Sequence, residues 1–518
     1  MQRLAVALCA LLALPLLGIA GAWLVPQAQS WELLRHQAGT VLPGYAMGSL
    51  LLAAGVGLGV AVLGGATAAA VTLFDFPGRR HFEWALLLPL AMPAYVLAYA
   101  TTDFLQFSGP LQTALRELTG ATGPLWPDVR SLPGAIVLFT LALYPYVYLL
   151  TRAALLERGL HLMEAARLLG AGLGRRVRSV ALPLARPALA AGVALALMET
   201  LADYGVGAYF GLATFTTGIY KAWLAMDDRI AAAQLATVLL AVVALLLWAE
   251  RRAQARLRYA GTRGAARERE ARPVALHGRH AVLAWALCAL PVALGFVLPV
   301  AVLLRGVWRE AHYGGPDGLG GLPWARFAEW AATSLQLATL AALGAVALAL
   351  LLGFLLRSGA GGGLLPLGWV QAAAPGSAAA GWATLLLTGS VGGLLYAYLV
   401  RFAAVALQSV EAGYARIPLS FDDTARTLGA GAGRLFFGVH APLLTRAALA
   451  AGLLVFVDVM KELPATLVLR PFGSDTLAVV AYNLARDERL AEAALPSLAI
   501  VGVGLIPVVL LSRAMRGR

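Results

Sequence analysis

The chain has 518 residues, 60% hydrophobic and only 13% charged, with a mean hydropathy of +0.77; soluble domains carry about 25% charged residues, so this apolar surface is too large to hide from water. The formal charge of +13 rests almost wholly on arginine, because Lys221 and Lys461 are the only lysines. Cys9 and Cys288 both lie in apolar runs, which argues against a disulfide framework or a cysteine metal site.

Apolar stretches of roughly 18 to 25 residues recur from end to end, each long enough to cross a hydrocarbon core of about 30 Å as a helix. They lack the polar–apolar alternation of a transmembrane β-barrel. The expected fold is therefore an all-α integral membrane protein of about twelve helices. Its spans begin near Leu4, Ser49, Trp84, Leu132, Pro187 and Ala231, then near Val282, Ser334, Leu364, Val391, Ala447 and Ala493. The first run, Leu4 to Val25, is longer than a secretory core of about 7 to 15 residues and is expected to be retained as a helix. Residues 1–250 form a first transmembrane half and 281–518 a second. Between them 251–280 is rich in arginine and free of hydrophobic periodicity, the pattern of a charged connector.

Arginines set the orientation, since cytoplasmic loops keep an excess of Lys and Arg near helix ends. The loops with Arg79 and Arg80, Arg152 to Arg186, Arg251 to Arg279 and Arg416 to Arg446, and the tail Arg513 to Arg518, alternate with loops of mixed sign such as Asp227, Asp228 and Arg229. Twelve helices with both termini cytoplasmic satisfy this pattern.

Two of the basic loops, 158–186 and 411–446, repeat each other. Ala166, Arg167, Gly170, Ala171, Gly172 and Pro183 recur as Ala425, Arg426, Gly429, Ala430, Gly431 and Pro442 at one constant offset. Each copy lies between the fourth and fifth span of its half, so the halves are expected to be parallel six-helix repeats about an axis along the membrane normal. Segments from Ser49 and from Ser334 support the same alignment. Physically, Ala165 and Ala166 let a short helix seat closely on a partner, Gly170 or Gly172 permits a left-handed reversal, and Pro183 and Pro187 restart the chain toward the next helix.

Glu164-Ala165-Ala166, Gly170 and Leu182-Pro183 resemble the cytoplasmic EAA loop of permeases in ATP-binding-cassette importers. The second copy, Asp423-Thr424-Ala425, Gly429 and Pro442, departs from that pattern by Asp for Glu, Thr for Ala and Ala441 for Leu, at unchanged spacing. The resemblance implies that both loops are coupling helices docked on two cytoplasmic ATP-binding subunits, which bind the ATP and Mg. It also implies a periplasmic or lipid-anchored receptor that delivers substrate, a bacterial inner-membrane location and no nucleic-acid partner. The chain has no GxxxxGK[ST] phosphate loop, and no enzyme activity or resident cofactor is expected of it.

The segments from Glu199 and from Asp458 further resemble fused two-domain ferric-iron permeases, which implies ferric iron as cargo; related fused permeases carry thiamine or phosphonates. Glu199 and Asp203, then Asp458 and Glu462, sit four apart in equivalent places of the two halves. A carboxylate at membrane depth costs roughly 2.5 to 3.5 kcal/mol on insertion scales, so each needs a partner or a wet cavity. Hard cations favour oxygen ligands, and Tyr204, Tyr209 and Tyr482 lie nearby. Two readings stay open: these acids line a pathway that ferric iron crosses transiently, with no permanent metal site, or Lys461 and neighbouring arginines neutralise them as structural elements. His161, His277, His280 and His440 are expected as surface histidines in or near cytoplasmic loops. An ion-coupled secondary transporter accounts for six-plus-six repeats but not for paired docking loops, and a scaffold protein leaves the repeated acids unexplained.

Overall fold

The structure is a computed structural model that describes residues 2–24, 28–156, 160–259, 273–314, 321–355, 357 and 389–516. Its principal helices in chain order are α1 (Gln2–Gly21), α2 (Leu42–Leu73), α3 (Arg79–Ala85), α4 (Ala94–Leu105), α5 (Leu132–Ala154), α6 (Leu160–Leu168), α7 (Leu182–Ala202), α8 (Gly205–Tyr209), α9 (Phe215–Tyr220) and α10 (Arg229–Tyr259). There follow α11 (Arg279–Val292), α12 (Leu298–Tyr313), α13 (Trp324–Leu355), α14 (Val391–Tyr414), α15 (Leu419–Thr427), α16 (Ala441–Met460), α17 (Pro464–Leu469), α18 (Leu477–Arg486) and α19 (Leu490–Arg516).

Among the described residues, nine helical spans are long and apolar enough to cross a membrane. A further apolar stretch is a bent pair, in which residues 79–91 and 94–119 meet at 92°. The break falls at Met92, which is extended (φ −95°, ψ 112°) because the ring of Pro93 disfavours helical geometry in the residue before it. A sequence that reads as one span near Trp84 thus becomes a bent pair. The apolar stretch in α1, Val6–Gly21, is shorter than the spans, and the span expected near Leu364 lies outside the described residues. Cys9 and Cys288 are free thiols.

The chain divides into two compact units. One comprises His36–Gly218, Ala241–Leu322 and Ala481–Arg518. In it α2, α5 and α7 pack against one another, and α12 packs on α19. Backbones approach closely where glycine allows it: a Cβ on Gly64 would meet the Tyr144 carbonyl oxygen at 2.7 Å, and one on Gly192 would meet the Val147 Cα at 2.6 Å. Small residues at such crossings are how membrane helices gain dispersion contact without a hydrophobic drive between them. The same unit holds a two-residue parallel pair, β1 (Phe74–Asp75) with β2 (Val274–Ala275), so part of the stretch expected to be a plain connector is fixed to the end of α2. That stretch also begins as helix, since α10 runs on to Tyr259.

The other unit comprises Met1–Arg35, Ile219–Leu240 and Pro323–Val480, with α13, α14 and α16 packed together. Each unit therefore takes the central helices of one sequence half and flanking helices from elsewhere in the chain.

Candidate functional site

The two repeated loops close their short helices with the same backbone bonds. Helices α6 and α15 are nine residues each. In α6 the closing turn is made by Leu169 N–H to the Ala165 carbonyl (3.1 Å), Gly170 N–H to Arg167 (2.9 Å) and Ala171 N–H to Ala166 (2.9 Å). In α15 the same three bonds run from Leu428 to Thr424 (3.1 Å), Gly429 to Arg426 (3.0 Å) and Ala430 to Ala425 (3.0 Å). Both turns depend on a left-handed residue, Gly170 at φ 80° and Gly429 at φ 78°, a conformation that costs other residues about 1–2 kcal/mol. Of the two candidate glycines, Gly170 makes the reversal; Gly172 has no positive φ.

Beyond each turn the chain passes through a wide turn, Val177–Ala181 or Phe436–His440, and enters α7 or α16. Pro183 and Pro442 stand in the first turn of those helices, where a missing N–H leaves no bond unmade, and Pro187 is inside α7. Glu164, Ala165, Gly170, Leu182, Pro183, Asp423, Gly429 and Pro442 are exposed, whereas Ala166 and Ala425 are half-buried. Apolar tips project beside the glycines: Leu168 and Leu169 are 85% and 88% exposed, and Leu428 is 81% exposed. Water is a poor neighbour for three such side chains on otherwise basic loops.

The paired acids stand where α7 and α16 end. Asp203 Oδ1 accepts from Val206 N–H at 2.7 Å and Glu462 Oε1 accepts from Ala465 N–H at 2.9 Å, so each caps the short helix, α8 or α17, that follows the break. Glu462 is buried and paired with Arg401 at 3.2 Å. Asp458 pairs with Lys461 at 2.9 Å; Glu199 is exposed, and Asp203 is half-buried. The neutralising partners considered for these acids are thus present at Asp458 and Glu462. Downstream, Ser49 Oγ accepts from Phe215 N–H at 3.0 Å, and Ser334 Oγ accepts from Leu477 N–H at 2.8 Å. The repeat extends to hydrogen bonds that hold the first residue of a helix after each break, α9 or α18.

A phenol and guanidinium cluster adjoins α8. The Arg130 guanidinium lies 4.7 Å over the Tyr209 ring, donates to the Tyr209 hydroxyl at 3.2 Å and pairs with Glu488 at 3.4 Å. Tyr209 stands edge-to-face with Tyr99 at 4.8 Å, and Tyr204 and Tyr482 are 5.9 Å apart. Burial raises the Tyr209 phenol above its ordinary range against the pull of Arg130. Among the described residues no group of three His, Cys, Asp or Glu side chains is placed to hold a metal ion.

One expectation needs correcting. His277 and His280 are exposed, and the His161 side chain lies outside the described residues, but His440 is wholly buried. The wide turn Phe436–His440 rotates it inward, where its Nε2 lies 3.0 Å from Asp422 Oδ1 and its ring packs 5.4 Å from both Phe354 and Tyr414. Sequence reasoning also passed over Arg357 and Arg401. An arginine inside an apolar run is the signal that finds Arg401, because such a charge demands a partner.

The fold defines a multi-pass, all-α membrane protein that carries two matched, exposed short helices. Residues 39–259, the stretch from α2 through α10, match the family described as binding-protein-dependent transport system inner membrane component. The chain is 26% identical over 202 residues to a ferric-iron transport system permease protein of Haemophilus influenzae, covering 39% of this chain and 36% of that one. It is 28% identical over 191 residues to a sulfate transport system permease protein of Salmonella typhimurium, covering 36% and 67%. It is 30% identical over 130 residues to a molybdenum transport system permease protein of Escherichia coli, covering 25% and 55%. The matched region thus spans from about a third to two thirds of the length of these relatives.

Proposed function

We propose that this chain is the membrane permease subunit of an ATP-binding-cassette importer, with both transmembrane halves fused and both termini cytoplasmic. The observation that carries this reading is the pair α6 and α15: two short helices of equal length, closed by the same three backbone bonds around a left-handed glycine, with exposed leucines at their tips. Two copies fit two ATP-binding subunits, one per helix, and those subunits bind the ATP and Mg. A receptor outside the membrane delivers the substrate, and ATP binding drives alternating access. The chain itself performs no chemistry on the cargo.

For the cargo we favour ferric iron, on the resemblance of the segments around Glu199 and Asp458 and on the ferric-iron relative. Sulfate and molybdenum relatives match at similar identity, so anions are the direct competitors. The test is uptake into proteoliposomes that hold this chain and its ATPases, with receptor outside and ATP trapped inside. Receptor- and ATP-dependent entry of radioactive ferric iron supports the reading. Receptor-stimulated ATP turnover without iron entry keeps the importer and moves the cargo to sulfate, molybdate, a phosphonate or thiamine; uptake that follows an ion gradient without ATP defeats the importer itself.

A further inference from the structure

The two docking helices are alike in backbone and opposite in what holds them. Behind α6, Met163, Ala181 and Leu155 are buried with Leu73 and Ala185 in one apolar cluster, and Val177 packs against it. The constant offset of the repeat carries Leu155, Met163, Val177 and Ala181 onto Tyr414, Asp422, Phe436 and His440. At the same places behind α15 the chain has put a carboxylate, an imidazole and a phenol.

Arg357 completes this second anchor. Its Nε donates to Asp422 Oδ2 at 2.8 Å and its Nη2 to Asp422 Oδ1 at 3.1 Å. The remaining donors reach three backbone carbonyls in the turn that joins α14 to α15: Nη1 to Tyr414 at 3.2 Å and to Ile417 at 3.0 Å, and Nη2 to Pro418 at 3.0 Å. A guanidinium has five N–H donors in a rigid fork, and here five acceptors answer them. Asp422 then accepts from His440 as well, so one carboxylate ties the docking helix to Arg357, two residues past the last residue of α13, and to the wide turn ahead of α16. Asp422 is 3% exposed and His440 wholly buried, while Arg357 borders an open cleft.

We infer that the second docking helix is oriented by charge where the first is oriented by apolar packing, with Arg357, Asp422 and His440 as its positioning residues. The functional half of this inference rests on the permease reading above. Apolar packing tolerates small slides of a helix, whereas a bidentate pair with fixed carbonyl acceptors has one geometry and is lost as a unit. Force applied at α15 by a partner therefore passes to α13 and α16 through one directional joint, and the two docking sites transmit unequally.

The experiment uses the full chain in nanodiscs, first alone and then with its ATPases and receptor in proteoliposomes. Hydrogen exchange is read over 419–430, with 160–170 as the internal control. In Asp422→Asn, exchange across 419–430 is expected to rise at least about tenfold with 160–170 unchanged, and cargo delivered per ATP is expected to fall while the ATPases stay bound. His440→Ala, which restores the residue found at position 181, is expected to shift the same segment by about threefold, and it serves if Asp422→Asn does not insert. Unchanged exchange in 419–430, an equal rise in both segments, or a selective rise with cargo per ATP unaltered would each overturn the positioning role. Failure of the wild-type chain to stimulate any ATPase would instead defeat the permease reading, and it shows before any variant is compared.

Discussion

Arg401 and Glu462 meet at 3.2 Å on the inner side of α14, and the equivalent residues in the other half are Ala142 and Asp203. The same helix break is thus closed by an ion pair in one half and without that arginine in the other. Glu462 holds two jobs at once, accepting from Ala465 N–H and from Arg401. Removing one partner of a buried pair costs about 3–5 kcal/mol because the other charge stays behind unpaired. Arg401→Ala is expected to lower the thermal midpoint in detergent markedly. Arg401→Ala with Glu462→Gln should recover much of that loss. A double variant no more stable than the single would show that the pair is not what the arginine supplies.

Gly170 and Gly429 carry a separate prediction. Valine at either position must adopt a positive φ that costs it at least about 1–2 kcal/mol, so α6 or α15 is expected to end in a different direction instead. Nothing lies within 4 Å of a Cβ at either site, so the effect is one of backbone conformation and not of crowding. Gly170→Val with Gly429→Val should leave membrane insertion intact and abolish stimulation of the ATPases. Gly172→Val should be near wild type, because that glycine has no positive φ. Loss of insertion in the first variant would contradict a docking role.

These two cases show which features the sequence makes legible. A left-handed turn favours glycine, although Asp227 and Glu488 also adopt it in this chain, so the spacing from Ala166 to Gly170 to Pro183 is written in residue types and survives in both copies. Helix length and apolarity are equally legible, which is why α5, α10 and α14 begin within a few residues of where hydropathy places them. Partners are not legible, because they are chosen in space: Arg357 is far along the chain from Asp422, and Arg401 from Glu462. His440 misled for a related reason. A histidine among glycines and arginines reads as solvated, and only the wide turn at Phe436–His440 brings it inside. Proline breaks are intermediate: Pro93 is visible, but the 92° bend it permits depends on what the two arms pack against.

Ser49 and Ser334 each accept one backbone N–H from the first residue of a helix that follows a break, Phe215 of α9 and Leu477 of α18. Both serines are buried, so an alanine leaves a desolvated donor without an acceptor, at a cost of about 1–3 kcal/mol. Ser49→Ala and Ser334→Ala should each destabilise by that order. Exchange should rise first at 213–218 in one variant and at 475–480 in the other. Equal effects on both segments from either single variant would mean that the serines act through global stability.

The charge lock behind α15 makes a pH prediction whose sign follows from Asp422. Burial pushes its carboxyl up, but the hydrogen bonds from Arg357 and His440 outweigh burial and hold it below its ordinary range. A depressed carboxylate contributes stability that is fully present above its unfolded value, about 3.9, and is lost as pH falls through the lower folded value. Arg357, His440 and Tyr414 face Asp422, and Glu411 lines the open cleft beside Arg357. Pepsin cleavage within 419–428 is therefore expected to stay low from about pH 5 to about pH 4 and to rise steeply below, while cleavage within 162–169, behind which the anchor is apolar, changes little. Asp422→Asn should be cut readily across the whole range. A rise in cleavage that begins well above pH 4 in the wild type would assign the lock to a group other than Asp422.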